Sequence, residues 1–329
     1  MIRRPFLFAA AGLLLSAVAA FAGNLDSLNL EAGRTDANRL ATPVYETPEK
    51  PVVFLPLTGK YDRKAEVVRR LSARVPRFTA TGVDFAALLT SALQAESSAM
   101  GLRVVAAERG AAGFTVEGSL DDIYLESKPV LFGPLLFYGF LDVSLSVREG
   151  EGPARSLRHR VHVMYARFNG GFGVKDEVEE VVAELLIDGA QEIVARLNRE
   201  FFHAFPHPTV RAKLAALSGG AADHDAELRA VALSGTPAAT PALLALLARE
   251  RREEIRAGLI DALAILGDPS AVEPLSARYA KEDEDCRFFT LKAWDAVGSP
   301  EARELIAKKG KKDEDAACRH LAARIVDAP

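Results

Sequence analysis

Between residues 82 and 100 the apolar side chains Phe85, Leu88, Leu89, Ala92 and Leu93 fall at i, i+3, i+4, i+7 and i+8. That spacing puts them on one stripe of an α-helix. Asp84 supplies an N-cap and Gly101 a stop. Ahead of it, Pro51 to Leu57 (PVVFLPL) is a short apolar run bounded by Pro and Gly59, which reads as a buried strand. After Gly101 the period becomes two. Leu102 to Ala106 predicts one strand. Gly113 to Leu125 predicts a second through Phe114, Val116, Leu120 and Tyr124. Phe140 to Val147 and Leu157 to Phe168 follow, the first through Leu141, Val143, Leu145 and Val147, the other through Val161, Val163 and Tyr165. A long helix closes the block from Asp176 to Phe202, with Val178, Val181, Val182, Leu185, Gly189, Ile193 and Leu197 on one side. The order is β-α-β-β-β-α. Helices with one apolar stripe bury it against one face of a sheet, so residues 51–205 predict a two-layer α+β domain.

From about residue 207 the pattern repeats. Gly235, Gly267 and Gly298 lie 32 and 31 residues apart, and each opens a Gly-x-Pro. An apolar-Arg pair recurs as Ile255-Arg256, Cys286-Arg287 and Cys318-Arg319, preceded by acidic residues such as Glu282 to Asp285 and Asp313 to Asp315. Apolar positions follow each Arg at +4, +7 and +10: Ile260, Leu263 and Leu266, then Leu291, Trp294 and Val297. Two helices per unit of about 31 residues predict an all-α solenoid over 207–329. Leu228-Arg229 departs from the pattern, lying six residues before its glycine where later units have eleven, so residues 207–247 read as a degenerate or capping unit.

Ile255 to Leu275, with its apolar-Arg pair, Ala/Leu-rich helix and Leu-Gly-Asp-Pro, resembles the HEAT repeat in the short form of phycobilisome-lyase-like proteins. That resemblance implies stacked helical pairs presenting a surface to a partner; a lyase-like activity is its less favoured implication. The element order of the first block, its PVVFLPL strand and the VEGSLDDIYLE segment resemble periplasmic domains of ABC-type transport auxiliary lipoproteins. This implies an assembly or binding module. The lipid-bearing Cys of that group is not seen here.

Residues 1–22 carry Arg3 and Arg4, an apolar run from Phe6 to Ala20 and a small-x-small Ala20-Phe21-Ala22. They read as a signal peptide cleaved after Ala22, sending the chain to the periplasm or outside the cell. The polar stretch 23–50 reads as a linker or tether. A net charge of −4 lacks the basic footprint of a nucleic-acid binder.

Candidate chemistry is sparse. His159 and His162, three apart in a strand, point to opposite faces, and Pro206 and Pro208 keep His203 and His207 from aligning on a helix. No zinc motif, nucleophile elbow or full phosphate loop is present; Asn169-Gly-Gly-Phe-Gly reads as a turn. Cys286 and Cys318 read as buried apolar positions on adjacent helices, whose spacing disfavours a disulfide, the alternative reading of the pair. No catalytic residue, metal or cofactor is expected. Pro129 to Leu141 (PVLFGPLLFYGFL) is too short to span a bilayer. It is read either as a buried hairpin or as an exposed loop in which Leu131, Phe132, Leu135, Leu136, Phe137, Tyr138 and Phe140 dock on a partner or a membrane surface. The expected function is a non-enzymatic envelope scaffold binding a protein through its solenoid. The alternative is an accessory of envelope transport or outer-membrane assembly acting through the first domain.

Overall fold

The computed structural model describes residues 23–25, 28–35, 38–61, 66–70, 78–80, 82–106, 113–129, 135–167, 174–218 and 225–327. The expected signal peptide, the Asn169–Gly173 turn and Leu131 and Phe132 lie outside them. The strands are Gly23–Asn24 (β1), Val52–Phe54 (β2), Thr58–Gly59 (β3), Glu66–Arg70 (β4), Phe78–Thr79 (β5), Phe114–Pro129 (β6), Leu135–Glu149 (β7) and Arg155–Arg167 (β8). The helices are Phe85–Ala99 (α1), Val174–Leu197 (α2), Pro208–Ser218 (α3), Asp225–Leu233 (α4), Ala239–Arg249 (α5), Glu253–Leu266 (α6), Val272–Arg278 (α7), Glu284–Val297 (α8), Pro300–Lys309 (α9) and Ala316–Asp327 (α10). A mixed sheet with its two helices is followed by an all-helical region.

The alternation after residue 113 becomes a long antiparallel β6-β7-β8 meander. The other edge of β6 takes three short parallel strands end to end, β2, β3 and β4, and β5 and β1 extend the sheet beyond β4. Helix α1 forms where its stripe predicts, and Asp84 accepts from the Ala87 N–H at 3.1 Å. The expected strand Leu102–Ala106 is reduced to a single bridge, Val104 to Val52, just after Gly101 turns the chain at φ +99°.

The described residues between 23 and 50, expected as a tether, are packed against the rest of the chain. Leu25, Val44 and Tyr45 are buried in the main core. The polar residues around them satisfy one another: Asn38 Nδ2 donates to Gly33 O at 2.8 Å, Gln191 Nε2 to Asn38 O at 2.8 Å, and the Val44 and Tyr45 N–H groups to Met100 O. Buried backbone with partners needs no apolar period to be ordered. Gly33 lies so close to α2 that a Cβ there would meet the Glu184 nitrogen at 2.3 Å.

The two faces of the meander part company along each strand. Leu125, Phe137, Leu141, Val143, Leu145, Val161 and Val163 enter the core under α1 and α2. Their neighbours Tyr124, Leu136, Tyr138 and Phe140 enter a second core made mostly by helices α3 to α10. The expected two-layer arrangement is therefore incomplete: the helical region is a third layer on the sheet. Strands buried on both faces lose strict alternation, which is why 135–141 reads as a continuous apolar run.

Helices α4, α6, α8 and α10 pack in succession, with α5, α7 and α9 between them along the chain. Gly235, Gly267 and Gly298 all adopt left-handed φ, from +57° to +67°, past the ends of α4, α6 and α8. This is where a helix reverses at least cost with glycine. The recurrent arginines join neighbouring units. Arg256 pairs with Glu282 and Asp283 at 2.9 and 2.8 Å, and Arg287 with Asp313 and Glu314 at 3.0 and 3.3 Å. Trp294 is fully buried and stacks on Tyr279, centroids 5.2 Å apart. Cys286 and Cys318 are free and buried.

Candidate functional site

The contact between sheet and helices is built on one position per unit. Arg229, Asp261, Lys292 and Arg324 lie 32, 31 and 32 residues apart, on α4, α6, α8 and α10. Arg229 pairs with Asp188 of α2 at 3.0 Å and donates to Gln191 Oε1 at 2.8 Å. Lys292 bridges Asp261, at 2.7 Å, to Glu192 of α2, at 2.8 Å. Arg324 reaches Asp142, Asp122 and the Tyr124 hydroxyl at 3.0, 3.3 and 2.6 Å. Arg229, read from sequence as a displaced repeat arginine, is the first member of this ladder. Its spacing of six before the glycine, shared by Asp261 and Lys292, is the signal that identifies it.

A second series joins the same halves at the helix ends. The last carbonyls of an α-helix lack partners within it, and cations are favoured there. Tyr45 Oη donates to Leu233 O of α4 at 2.6 Å, Arg199 to Leu266 O of α6, Arg196 to Ala296 O of α8 at 3.4 Å and Arg160 to Ile325 O of α10 at 3.3 Å. Four alternate helices, α4, α6, α8 and α10, thus end on side chains from the first 200 residues.

These groups are perturbed in the way burial and pairing dictate. Burial pushes the Glu192 carboxyl up against the pull of Lys292. Burial would lower Lys292, but Asp261 and Glu192 outweigh it and hold the ammonium up. Asp295 is buried, yet His162 at 2.9 Å and Arg160 at 2.6 Å hold it below the usual carboxylate range. Burial, aided by Asp188, raises Glu184 to about 7. Burial, with Arg196 and Arg199 nearby, depresses His159 to about 3.

Where β8, α2 and the C-terminal ends of α8 and α10 meet, a cleft of about 480 Å³ opens. Arg158, His159, Arg160, Arg196, Asp295 and Arg303 line it. The Nε of Arg196 and the Nε2 of His159 are buried there without hydrogen-bond partners. As their separation requires, His159 pairs opposite Val143 and His162 opposite Phe140, on the two faces of the sheet. His203 turns the chain at φ +53°.

The residues expected to dock a partner are placed otherwise. Leu136, Phe137, Tyr138 and Phe140 are buried in β7, and Leu135 is half-buried. Phe137 faces α2. Tyr138 packs on Phe288 of α8 at 5.1 Å, and Phe140 stacks on Tyr124 at 4.8 Å. Leu136, Phe137, Tyr138 and Phe140 are therefore buried within the chain: Phe137 enters the core under α1 and α2, and Leu136, Tyr138 and Phe140 meet the chain's own C-terminal helical layer. Glu282, Asp283 and Cys286 approach closely enough to hold an ion. However, Arg256 and Arg278 already neutralise the carboxylates, and burial pushes the Cys286 thiol up, so this set does not suit a thiolate-bound metal. Among the described residues no helix is long and apolar enough to cross a membrane.

No family model matches this chain, and no curated protein matches it. Solved structures align to parts of it. A minor lipoprotein from Acinetobacter baumannii aligns at 10% identity over 50% of this chain and 98% of its own, with a TM-score of 0.28. A DUF330 protein from Xanthomonas campestris aligns at 12% identity over 47% and 88%, TM-score 0.31. The rare lipoprotein B from Shewanella oneidensis aligns at 14% identity over 34% and 85%, TM-score 0.25. Identities and TM-scores this low carry neither fold nor function across.

Proposed function

We propose that the protein is a non-enzymatic scaffold exported to the cell envelope, whose helical region is a HEAT-like solenoid fixed on the sheet and offering its outer row to a protein partner. The observation that carries this reading is the use of the charged residues. Arg229, Lys292, Arg324 and their carboxylate partners join helix layer to sheet layer and are mostly buried, an arrangement that fixes geometry and leaves little for turnover. Solenoid repeats bind through the extended surface their stacking creates. With the inner row facing the sheet, the free surface is that of α5, α7 and α9, where Arg249, Glu273, Glu304 and Lys308 are exposed. The N-terminal 22 residues support the export half of the proposal.

The test is cross-linking capture by the full-length chain from its own cell envelope, beside the outer-row variant Glu273→Lys/Glu304→Lys. Loss of a discrete protein from the variant's captures is expected. An unchanged set of captured proteins refutes the outer row as the binding surface. The accessory reading, in which the sheet itself engages a transport or assembly partner, draws support from one feature. The end of the β6–β8 face left uncovered by helices is a groove of about 840 Å³ lined by Ser119, Ser144, Ser146 and Ser156. A Ser144→Arg/Ser146→Arg variant that loses the partner while the outer-row variant keeps it would favour that reading.

A further inference from the structure

We propose that two copies of this chain associate along one edge of the helical array, on two rows of unpaired charge that complement each other across a twofold axis. The array has two long edges. At one, α4, α6, α8 and α10 end on Tyr45, Arg199, Arg196 and Arg160 of the same chain. At the other, each outer helix hands over to the next inner helix. Arg249 is the last residue of α5, and Lys281 and Lys312 close the short 3-10 turns that follow α7 and α9. They lie 32 and 31 residues apart, the interval of the turn glycines, so each holds the same place in its unit. All three are exposed, and among the described residues none has an ion pair. A few residues further on, the inner helices open on carboxylates: Glu253 and Glu254 on α6, Glu284 on α8. These too are exposed and without an ion pair among the described residues. Arg251, exposed, and Asp285, half-buried, add one unpaired charge of each sign.

Other charges of this edge pair within the chain. Arg252 meets Glu250 at 3.2 Å, Arg256 meets Glu282 and Asp283 at 2.9 and 2.8 Å, and Arg278 meets Glu282 at 2.8 Å. Arg287 meets Asp313 and Glu314 at 3.0 and 3.3 Å, and Lys128 of β6 meets Asp315 at 2.5 Å. Each unpaired charge has the sign its helix end favours, cations at C-termini and carboxylates at N-termini, so the rows cost the monomer nothing. What singles them out is that opposite charges three to five residues apart leave one another unpaired while their neighbours pair. Packed helices lie about 8–10 Å apart, so the cation row extends over about 20 Å. A twofold axis running along the array, between the rows, lays the cations of each copy on the carboxylates of the other, and the second contact repeats the first. An axis across the array would set cations on cations. The two arrays therefore run side by side in the same direction. Arg249 faces Glu253 and Glu254 of the second copy, and Lys281 faces Glu284 of the second copy. This edge is distinct from the outer face of α5, α7 and α9 proposed above for a protein partner, so either reading can fail without the other.

The experiment uses the chain from Gly23 onward and sedimentation velocity at low and high salt. Two variants reverse one row each: Arg249→Glu/Lys281→Glu and Glu253→Lys/Glu284→Lys. These side chains are exposed and break no ion pair among the described residues, so both variants should keep the circular dichroism of the parent chain. The expected result is a concentration-dependent dimer at low salt that dissociates as salt screens the rows. Each variant alone alters contacts on both sides of the axis and should associate roughly tenfold more weakly, or worse. An equimolar mixture of the two should form a heterodimer tighter than the parent dimer, because a largely negative strip then meets a largely positive one. A monomer at every concentration, self-association that neither variant weakens, or a mixture that stays monomeric overturns the proposal.

Discussion

Replacing Lys292 by Met removes the charge that joins three helices while keeping most of the side-chain volume. Lys292 is 3% exposed and sits between Glu192, 5% exposed, and Asp261. Without it Asp261, at the rim, can be hydrated, but Glu192 stays buried and loses the ammonium that pairs with it directly, keeping only the more distant Arg229. Removing one partner of a buried pair costs about 3–5 kcal/mol, which for a chain of this size lowers the melting temperature by about 6–12 °C. The cost has a ceiling, because Glu192 can take up a proton instead. Its carboxyl is already raised by burial, and loss of the lysine raises it further. A carboxyl whose folded value exceeds its unfolded value favours the folded state at low pH, and that stability is lost as pH rises through the interval between the two. The deficit of Lys292→Met should therefore be larger at pH 8 than at pH 6. Adding Glu192→Gln should recover most of it, since both charges then leave together. Urea unfolding at the two pH values measures all three quantities. A deficit under about 1 kcal/mol at pH 8, or a double variant no more stable than the single, would refute the reasoning.

Glu184, held at about 7, should contribute stability that is present near pH 4.5 and lost as pH rises toward 7; Glu184→Gln should remove about 2–3 kcal/mol of that slope in unfolding curves recorded across the interval. His159, depressed to about 3, acts in the opposite sense: its contribution is present above pH 6.5 and lost as pH falls, so His159→Asn should flatten the acid limb measured by circular dichroism. Gly33→Ala drives a methyl into the backbone of α2 and should destabilise by about 2 kcal/mol or more in thermal unfolding, whereas substitution in a true tether would change nothing. Deleting residues 207–329 uncovers Leu136, Tyr138 and Phe140, and the truncated chain should bind a hydrophobic dye and aggregate during size-exclusion chromatography.

What was legible in the sequence follows from whether one element's own periodicity carried the information. Helix α1 has a single apolar stripe and a capping Asp84, and both are local. The 31–32-residue recurrence of glycine marked the ends of α4, α6 and α8 because left-handed backbone there is a local demand. The third layer was not legible. Tyr138 and Phe140 are apolar for the sake of Phe288 and other helix residues more than a hundred positions away, so their run reads equally as a buried hairpin or a sticky loop. Residues 23–50 were misread for a related reason: Asn38, Thr35 and Gln191 order that segment by hydrogen bonds, which leave no hydrophobic period. The arginine cleft was hidden because Arg158, Arg160, Arg196 and Arg303 come from three elements separated by up to 145 positions.

The four capped helix ends carry one further meaning. Leu233, Leu266, Ala296 and Ile325 each find a dedicated donor on Tyr45, Arg199, Arg196 or Arg160. Helical arrays of this kind ordinarily lengthen by duplicating a unit, since each unit needs only its neighbour. Here Tyr45, Arg160 of β8, Arg196 of α2 and Arg199 just beyond it act as a ruler with four marks. An inserted unit would shift every later helix by one mark and strand Lys292 or Arg324 opposite the wrong carboxylate. The array length is therefore written outside the array, and gain or loss of a unit would require matching change in residues 45–200.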